Sequence, residues 1–263
     1  MKIAFIGGGA MGAAIIKCLL TKRMATPQDI AVSDISLVRR ELLKREYGIS
    51  TLADNRKTVT NTDLIILAVK PQNLTQVMED IKGLALEQLV LSIVAGATLS
   101  TLCHGLKHSS VIRAMPNMPA QIGEGMTIWT ATTDTKQKQK KLAQSILETL
   151  GKEVYVDDEK YLNMATALSA SGPAYVFLFI EALIDAGVHI GLPRDLSQEL
   201  AMQTILGSTL TVEKTGKHPA DLRNMVTSPG GTTTEALLQL EKGKFRSLII
   251  ESVAAAYKKA ERL

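Results

Sequence analysis

Residues 1–16 read MKIAFIGGGAMGAAII. A short apolar run, Ile3 to Ile6, enters three consecutive glycines, and an apolar segment with helical spacing follows. Gly7, Gly9 and Gly12 carry the G-x-G-x-x-G spacing, which is weak alone and informative only between a strand and a helix. Both are predicted here. In that setting Gly7 permits a tight turn, Gly9 lets the backbone approach a pyrophosphate, and Gly12 allows close helix–strand packing. Unpaired N–H groups at the helix start would face the phosphate oxygens. Ile6, Gly7, Gly8, Gly9, Ala10 and Met11 are therefore the first candidate cofactor-binding residues; a glycine-rich turn with no ligand is the plainer alternative.

Further strands are predicted at 29–33, 63–69, 88–94 and 109–114, alternating with helices at 10–23, 36–47, 71–82 and 98–105. These strands are rich in Val, Ile and Leu without polar alternation, the pattern of a parallel sheet buried on both faces. Strands at 125–131 and 152–156 bracket a helix at 135–149. From Glu159 onward only helices are predicted: 159–190 with a Gly172-Pro173 interruption, 193–215, 219–226, 232–242 and 245–262. The fold class is thus α/β, an N-terminal Rossmann-type doubly wound parallel sheet followed by an all-α C-terminal domain. The division predicted is a dinucleotide-binding domain over 1–156 and a helical substrate-binding and dimerisation domain over 157–263. Residues 173–187 are apolar around most of a helix, which suits a core helix or one shared between subunits.

Composition narrows the function classes. With 46% hydrophobic and 21% charged residues the chain is in the globular range. The formal charge of +4 is mild, and basic residues interleave with acids, as in RRELLKRE (39–46). Aromatics at 4% leave few stacking platforms, so no nucleic-acid partner is expected. Cys18 and Cys103 form no CxxC pair and read as reduced core thiols of a cytoplasmic protein. The initial apolar run is too short for a signal peptide. The stretch 172–187 contains Glu181 and Asp185 and reads as too short and too charged for a membrane helix, so no membrane partner is expected. The four histidines show no HExxH spacing, and no metal site is predicted.

Ligands of doubly wound folds lie beyond the carboxyl ends of the strands. Asp34, after Ser33, stands where a carboxylate would accept from a ribose 2′-OH and repel a 2′-phosphate, pointing to NAD. Arg39 and Arg40 open the next helix and can pair with that phosphate if they fold back, pointing to NADP. The sequence leaves both open. AVKPQ (68–72), VAG (94–96) and RAMPNMP (113–119) close three other strands, so Ala68, Val69, Lys70, Pro71, Val94, Ala95, Gly96, Met115 and Asn117 are expected along the nicotinamide half. Ketone reduction creates an alkoxide and normally calls for a His or Lys acid. A protonated imine needs no proton during hydride transfer, so a site without an evident acid suits a C=N substrate. Lys70, Lys160 and Tyr175 stay open as possible acids.

VTSPGGTTTEALLQLEKG (226–243) places Ser228, Gly230, Gly231, Thr232 and Thr233 before a helix. Thr232 with Glu235 three residues on has the capping-box form. Free amides and hydroxyls at such a start favour a small carboxylate; a structural helix cap is the alternative.

Residues 225–256, MVTSPGGTTTEALLQLEKGKFRSLIIESVAAA, closely resemble the C-terminal signature of the pyrroline-5-carboxylate reductase family. The likeness extends through FIGGGAMGAAI, AVKPQ, SIVAG, VIRAMPNMP, ALSASGPAYVF (167–177) and GLPRDLSQELA (191–201). The resemblance implies reduction of 1-pyrroline-5-carboxylate to proline with NAD(P)H, NADPH being usual in the family. It implies pyrophosphate at Gly7–Met11, the adenosine ribose at Ser33 and Asp34 with Asn55 nearby, and nicotinamide along 68–71 and 94–96. Ser228 to Thr233 would hold the substrate's carboxylate and ring nitrogen, and Thr233 is the residue assigned to catalysis, through its hydroxyl. Subunits of the family pair through the helical domain, and such dimers often assemble into decamers. Two departures stand out. Ser33-Asp34 replaces an Asn-Arg pair of many bacterial relatives, and Lys217 replaces an acidic residue before His218-Pro219, with Glu213 one turn earlier as an alternative carboxylate. A related imine or hydroxyacid reductase of the same architecture and a non-catalytic nucleotide-sensing binding protein are the rival readings.

Overall fold

The structure, a computed structural model, describes residues 1–84 and 87–262. Its chain divides into two compact units: Met1–Ser171 with the residues from Ala256 on, and Gly172–Ala255.

The first unit is built on eight strands: β1 (Ile3–Ile6), β2 (Ile30–Ser33), β3 (Ser50–Leu52), β4 (Leu64–Leu67), β5 (Leu89–Ser92), β6 (Val111–Pro116), β7 (Gly125–Ala131) and β8 (Gly151–Tyr155). Their order is β3-β2-β1-β4-β5-β6-β7-β8. All neighbours run parallel except β6 and β7, so β7 and β8 oppose the rest. The fully parallel expectation is corrected there, because the short link from Asn117 to Glu124 turns the chain straight back. A parallel return needs a crossover of a dozen or more residues. Between strands lie α1 (Ala10–Thr21), α2 (Leu37–Tyr47), α3 (Asn55–Val59), α4 (Leu74–Ile81), α5 (Leu99–Leu106) and α6 (Gln137–Glu148).

Side chains alternate across a strand, and the core divides accordingly. Ile3, Phe5, Leu64 and Ile66 pack with Ile15, Ile16 and Leu19 of α1, Leu43 of α2 and Ile146 of α6. Ala4, Ile6, Ile65 and Leu67 pack on the other face with Val77 and Met78 of α4 and Leu102 and Leu106 of α5. Helices thus cover both faces, and the strand order reverses at β1, between β2 and β4. That reversal makes a crevice at the carboxyl ends of β1 and β4, the usual ligand position in this architecture.

The helical remainder comprises α7 (Lys160–Ala165), a π-helical turn (Thr166–Ala170), α8 (Gly172–His189), α9 (Arg194–Thr215), α10 (Pro219–Met225), α11 (Thr232–Lys242) and α12 (Phe245–Ala260). Pro173 sits in the first turn of α8, where its missing N–H costs nothing. Within the second unit α8 and α9 approach closely: a Cβ on Gly187 would lie 2.7 Å from Ser197 Oγ. Yet α8 buries only Ile184 and exposes Val176, Phe177, Leu178 and Phe179.

Lys160–His189 forms 30 residues of helix with mean hydropathy 1.6, long and apolar enough by length and composition to cross a membrane. The helix is therefore not too short to span, in contrast to the expectation for 172–187, because it extends twelve residues further toward the N-terminus. Glu181 and Asp185 stay within it, both exposed.

Candidate active site

The glycine loop follows β1 directly. Gly7 has φ +96°, and a Cβ there would meet Ala68 O at 2.7 Å and Val69 Cγ1 at 2.9 Å. Only glycine fits that backbone region and that approach. A Cβ on Gly12 would lie 2.6 Å from Gly7 O, so α1 packs against the loop with no room for a methyl. Gly9 is the opposite case: it is exposed, and a Cβ there would meet nothing within 4 Å. Gly9 is also the N-cap of α1, with no side-chain cap and no acidic residue in the first turn. The amides that open α1 are left without intrahelical acceptors. This is an open cradle rimmed by N–H groups, and its residues fit a dinucleotide pyrophosphate. Ile6 and Gly8 are buried, Ala10 is exposed and Met11 is half-buried. The Ile6 side chain belongs to the core, so only its backbone borders the crevice.

Asp34 is held by the main chain. Its Oδ2 accepts from Gly8 N at 2.8 Å and its Oδ1 from Ser36 N at 2.9 Å. Arg39 Nε donates to Gly8 O, and Arg40 Nη1 donates to Asp34 O at 2.6 Å. Both arginines therefore fold back, Arg39 onto the glycine loop after β1 and Arg40 onto the end of β2, which the sequence left open. Ser33 Oγ donates to Asn55 Oδ1 at 2.6 Å, and Asn55 Nδ2 to Asp80 Oδ2 at 2.8 Å. Asn55 thus lies beside Ser33 as a link to α4.

The other strand ends gather at the same edge. Ala68 N donates to Ile6 O at 2.9 Å and Ile93 N to Leu67 O at 3.0 Å. Ala68 and Val69 are half-buried; Lys70 and Pro71 are exposed at the start of a 3₁₀ turn. Val94 is a core residue, whereas Ala95 and Gly96 are partly open, Gly96 at φ +76°. Met115 lies inside β6 rather than in the loop after it, because pairing with β7 extends the strand to Pro116. Asn117 Oδ1 accepts from Met126 N at 2.8 Å, and its Nδ2 faces Ser169 O and Oγ at 3.4 Å. It ties the end of β6 to β7 and to the π-helical turn.

In the second unit, the 228–234 loop departs from its predicted form. The N-cap of α11 is Gly231, not Thr232, and no side chain caps it. Gly230 at φ +67° closes a turn in which Gly231 N donates to Ser228 O at 3.1 Å. The helix begins at Thr232, the predicted start, with the turn supplying its cap, and Thr234 Oγ1 also donates to Ser228 O, at 2.8 Å. Glu235 is thereby out of capping-box register. The N–H groups of Thr232 and Thr233, the first two helical residues, have no intrahelical acceptor. Ser228, Gly230 and Thr232 are exposed; Gly231 and Thr233 are half-buried. Sequence reasoning missed His218, whose Nδ1 accepts from Ala220 N at 3.1 Å and caps α10.

Among the candidate acids, Lys160 Nζ lies 2.6 Å from Asp158 Oδ2. Hydrogen bonding to Asp158, then its charge, raises the lysine above its usual pKa and makes it a poorer proton donor. Burial raises the thiols of Cys18 and Cys103 as well.

A doubly wound sheet with an amide-rimmed cradle at its switch point defines a Rossmann-type dinucleotide-binding oxidoreductase. Residues 159–263 match the family model for pyrroline-5-carboxylate reductase dimerisation, and residues 2–96 match that for coenzyme F420-dependent NADP oxidoreductase. The pyrroline-5-carboxylate reductase of Synechocystis sp. is 41% identical over 263 residues, covering 100% of this chain and 98% of that protein. A solved pyrroline-5-carboxylate reductase from Coxiella burnetii is 37% identical with TM-score 0.89, covering 99% of this chain and 97% of that one. The Plasmodium falciparum pyrroline carboxylate reductase, solved with NADP bound, is 32% identical with TM-score 0.91, covering 100% and 97%. The chain belongs to the pyrroline-5-carboxylate reductase family.

Proposed function

We propose that this protein reduces 1-pyrroline-5-carboxylate to L-proline with NADPH, the last step of proline biosynthesis. Full-length membership of the family carries this reading. NADPH supplies a hydride to the imine carbon. The amides at Gly9–Met11 hold the pyrophosphate, and Ser33, Asp34 and Asn55 border the adenosine ribose. Ala68–Pro71, Val94–Gly96, Met115 and Asn117 border the nicotinamide. The amides of Thr232 and Thr233 face the substrate carboxylate, and the Thr233 hydroxyl binds at the ring nitrogen. Placement at a near-attack separation of roughly 3–3.5 Å is the main catalytic contribution, because a protonated imine yields a neutral amine directly. The functional division follows the predicted boundary: residues 1–156 bind the dinucleotide, and 157–263 bind substrate and the partner subunit.

The same reading makes the protein a cytoplasmic homodimer. A second copy, rather than lipid, covers the exposed apolar faces of α8 and of α12 at Leu248, Ile249 and Ile250. The match of residues 159–263 to a dimerisation model supports that. Assembly of dimers into a decamer belongs to the proposal and is read by light scattering of the purified protein. The activity is tested by following nicotinamide absorbance with 1-pyrroline-5-carboxylate and either NADPH or NADH. Absorbance unchanged by substrate with both cofactors would overturn the assignment.

A further inference from the structure

We propose that Asp80, on α4, is a positioning residue for the dinucleotide, acting through Asn55 and Ser33 on the glycine loop. The inference rests on the dinucleotide reading above and adds a residue that acts on the cradle at two removes. Three side-chain contacts carry it. Asp80 Oδ2 accepts from Asn55 Nδ2 at 2.8 Å, Asn55 Oδ1 accepts from Ser33 Oγ at 2.6 Å, and Gln76 Nε2 donates to Asp80 Oδ1 at 2.8 Å. Direction matters in this chain. A carboxylate only accepts, so it fixes the Asn55 amide with its NH₂ toward α4 and its oxygen toward β2. Ser33 must then donate its single hydroxyl hydrogen to Asn55. Without an acceptor at position 80 that amide orientation loses its anchor, and the hydroxyl can turn to Phe5 O, 3.5 Å away.

Ser33 carries the effect into the crevice. It is the last residue of β2, 1% exposed, and its carbonyl accepts from Gly7 N at 2.8 Å. The next residue, Asp34, accepts from Gly8 N at 2.8 Å through Oδ2. The end of β2 therefore supplies acceptors for two successive amides of the loop that forms the pyrophosphate cradle. Asn55 opens α3, a helix of five residues, too short to be stable alone. Asp80 ties that first turn to α4, whose Val77 and Met78 are core residues. A packed helix thus fixes a short one, the short one fixes the end of β2, and that end fixes the loop.

The test is a double-mutant cycle on the intact protein, with NADPH affinity read by fluorescence titration and a melting curve for each variant. Asp80→Ala should weaken NADPH about five- to tenfold, the scale of one net hydrogen bond, with kcat at saturating NADPH unchanged. Asp80→Asn keeps an oxygen for Asn55 and should bind within about twofold of the unaltered protein. Asn55→Ala should show the same loss as Asp80→Ala, and combining the two should add less than a further factor of about two. Losses that multiply in the double variant, an Asp80→Asn protein as weak as Asp80→Ala, or unchanged affinity in Asp80→Ala each overturn the relay. Should Asp80→Ala melt below the assay temperature, Asp80→Asn and Asn55→Ala decide it, and equal affinities in those two overturn the relay. An unaltered protein that fails to bind NADPH would instead overturn the dinucleotide reading itself.

Discussion

Arg113 Nη1 donates to Glu159 Oε1 at 2.8 Å, joining the middle of β6 to the residue just before α7. The same oxygen accepts from Leu99 N at 2.8 Å, the first amide of α5, and Arg113 Nη2 reaches Asn163 Oδ1 at 2.9 Å. One carboxylate thus fixes three elements around a guanidinium that is 4% exposed. Glu159→Ala leaves that cation buried with only Asn163. Glu159 is itself 30% exposed, so the expected loss falls between the surface and buried cases, about 2–3 kcal/mol by urea unfolding. A loss within error of zero would show that water replaces the carboxylate.

The glycine loop separates packing from binding. Gly12→Ala drives a methyl against Gly7 O at 2.6 Å and should cost about 1–3 kcal/mol of stability. Gly9→Ala meets open space at φ −63°, a backbone any residue adopts, so stability should change by less than about 0.5 kcal/mol. The same methyl obstructs the approach to a pyrophosphate, and NADPH binding should weaken about tenfold or more. Melting curves and fluorescence titration of both variants decide it; equal NADPH affinity in Gly9→Ala would move the phosphates elsewhere.

Thr233 and Thr234 are neighbours with different duties. Thr234 Oγ1 is committed to Ser228 O, so Thr234→Val loosens the loop and should raise KM more than it lowers kcat. Thr233→Val removes the hydroxyl assigned to the substrate. It should lower kcat/KM by about 1–2 kcal/mol with no change in melting temperature. Steady-state kinetics on both separate the roles, and unchanged kinetics in Thr233→Val would remove it from the site.

Much of this was legible because strand burial and glycine spacing are local signals. Runs such as LIIL (64–67) have no other place than a sheet covered on both faces. β3 was not predicted: three residues, Ser50–Leu52, give no periodicity, and pairing with β2 is what makes them a strand. α3 was missed for the same reason: four of its five residues are polar, with only Val59 apolar, and it is started by Asp54, which accepts from Lys57 N. The span 232–242 matches α11, but the capping-box template named the wrong cap, Thr232 in place of Gly231, because a left-handed Gly230, invisible in composition, sets the register. The fold-back of Arg39 and Arg40 depends on which carbonyls α2 brings within reach, and that is a tertiary fact.

Asp29 gives the protein an acid-sensitive clasp. Its Oδ2 accepts from Thr26 Oγ1 at 2.6 Å and Thr26 N at 3.0 Å, and Lys2 Nζ lies 3.2 Å from Oδ1. The Thr26 hydrogen bonds, then Lys2, hold this carboxyl well below the ordinary carboxylate range. A folded-state pKa below the unfolded value of about 3.9 favours folding at higher pH, and the contribution is lost as pH falls below that value. Asp29→Asn removes the titration. The melting temperatures of the two proteins should therefore differ by a constant amount above about pH 5 and converge as the pH is lowered from there toward 2. A gap that stayed constant across that range would mean that the carboxyl titrates alike in the folded and unfolded chains.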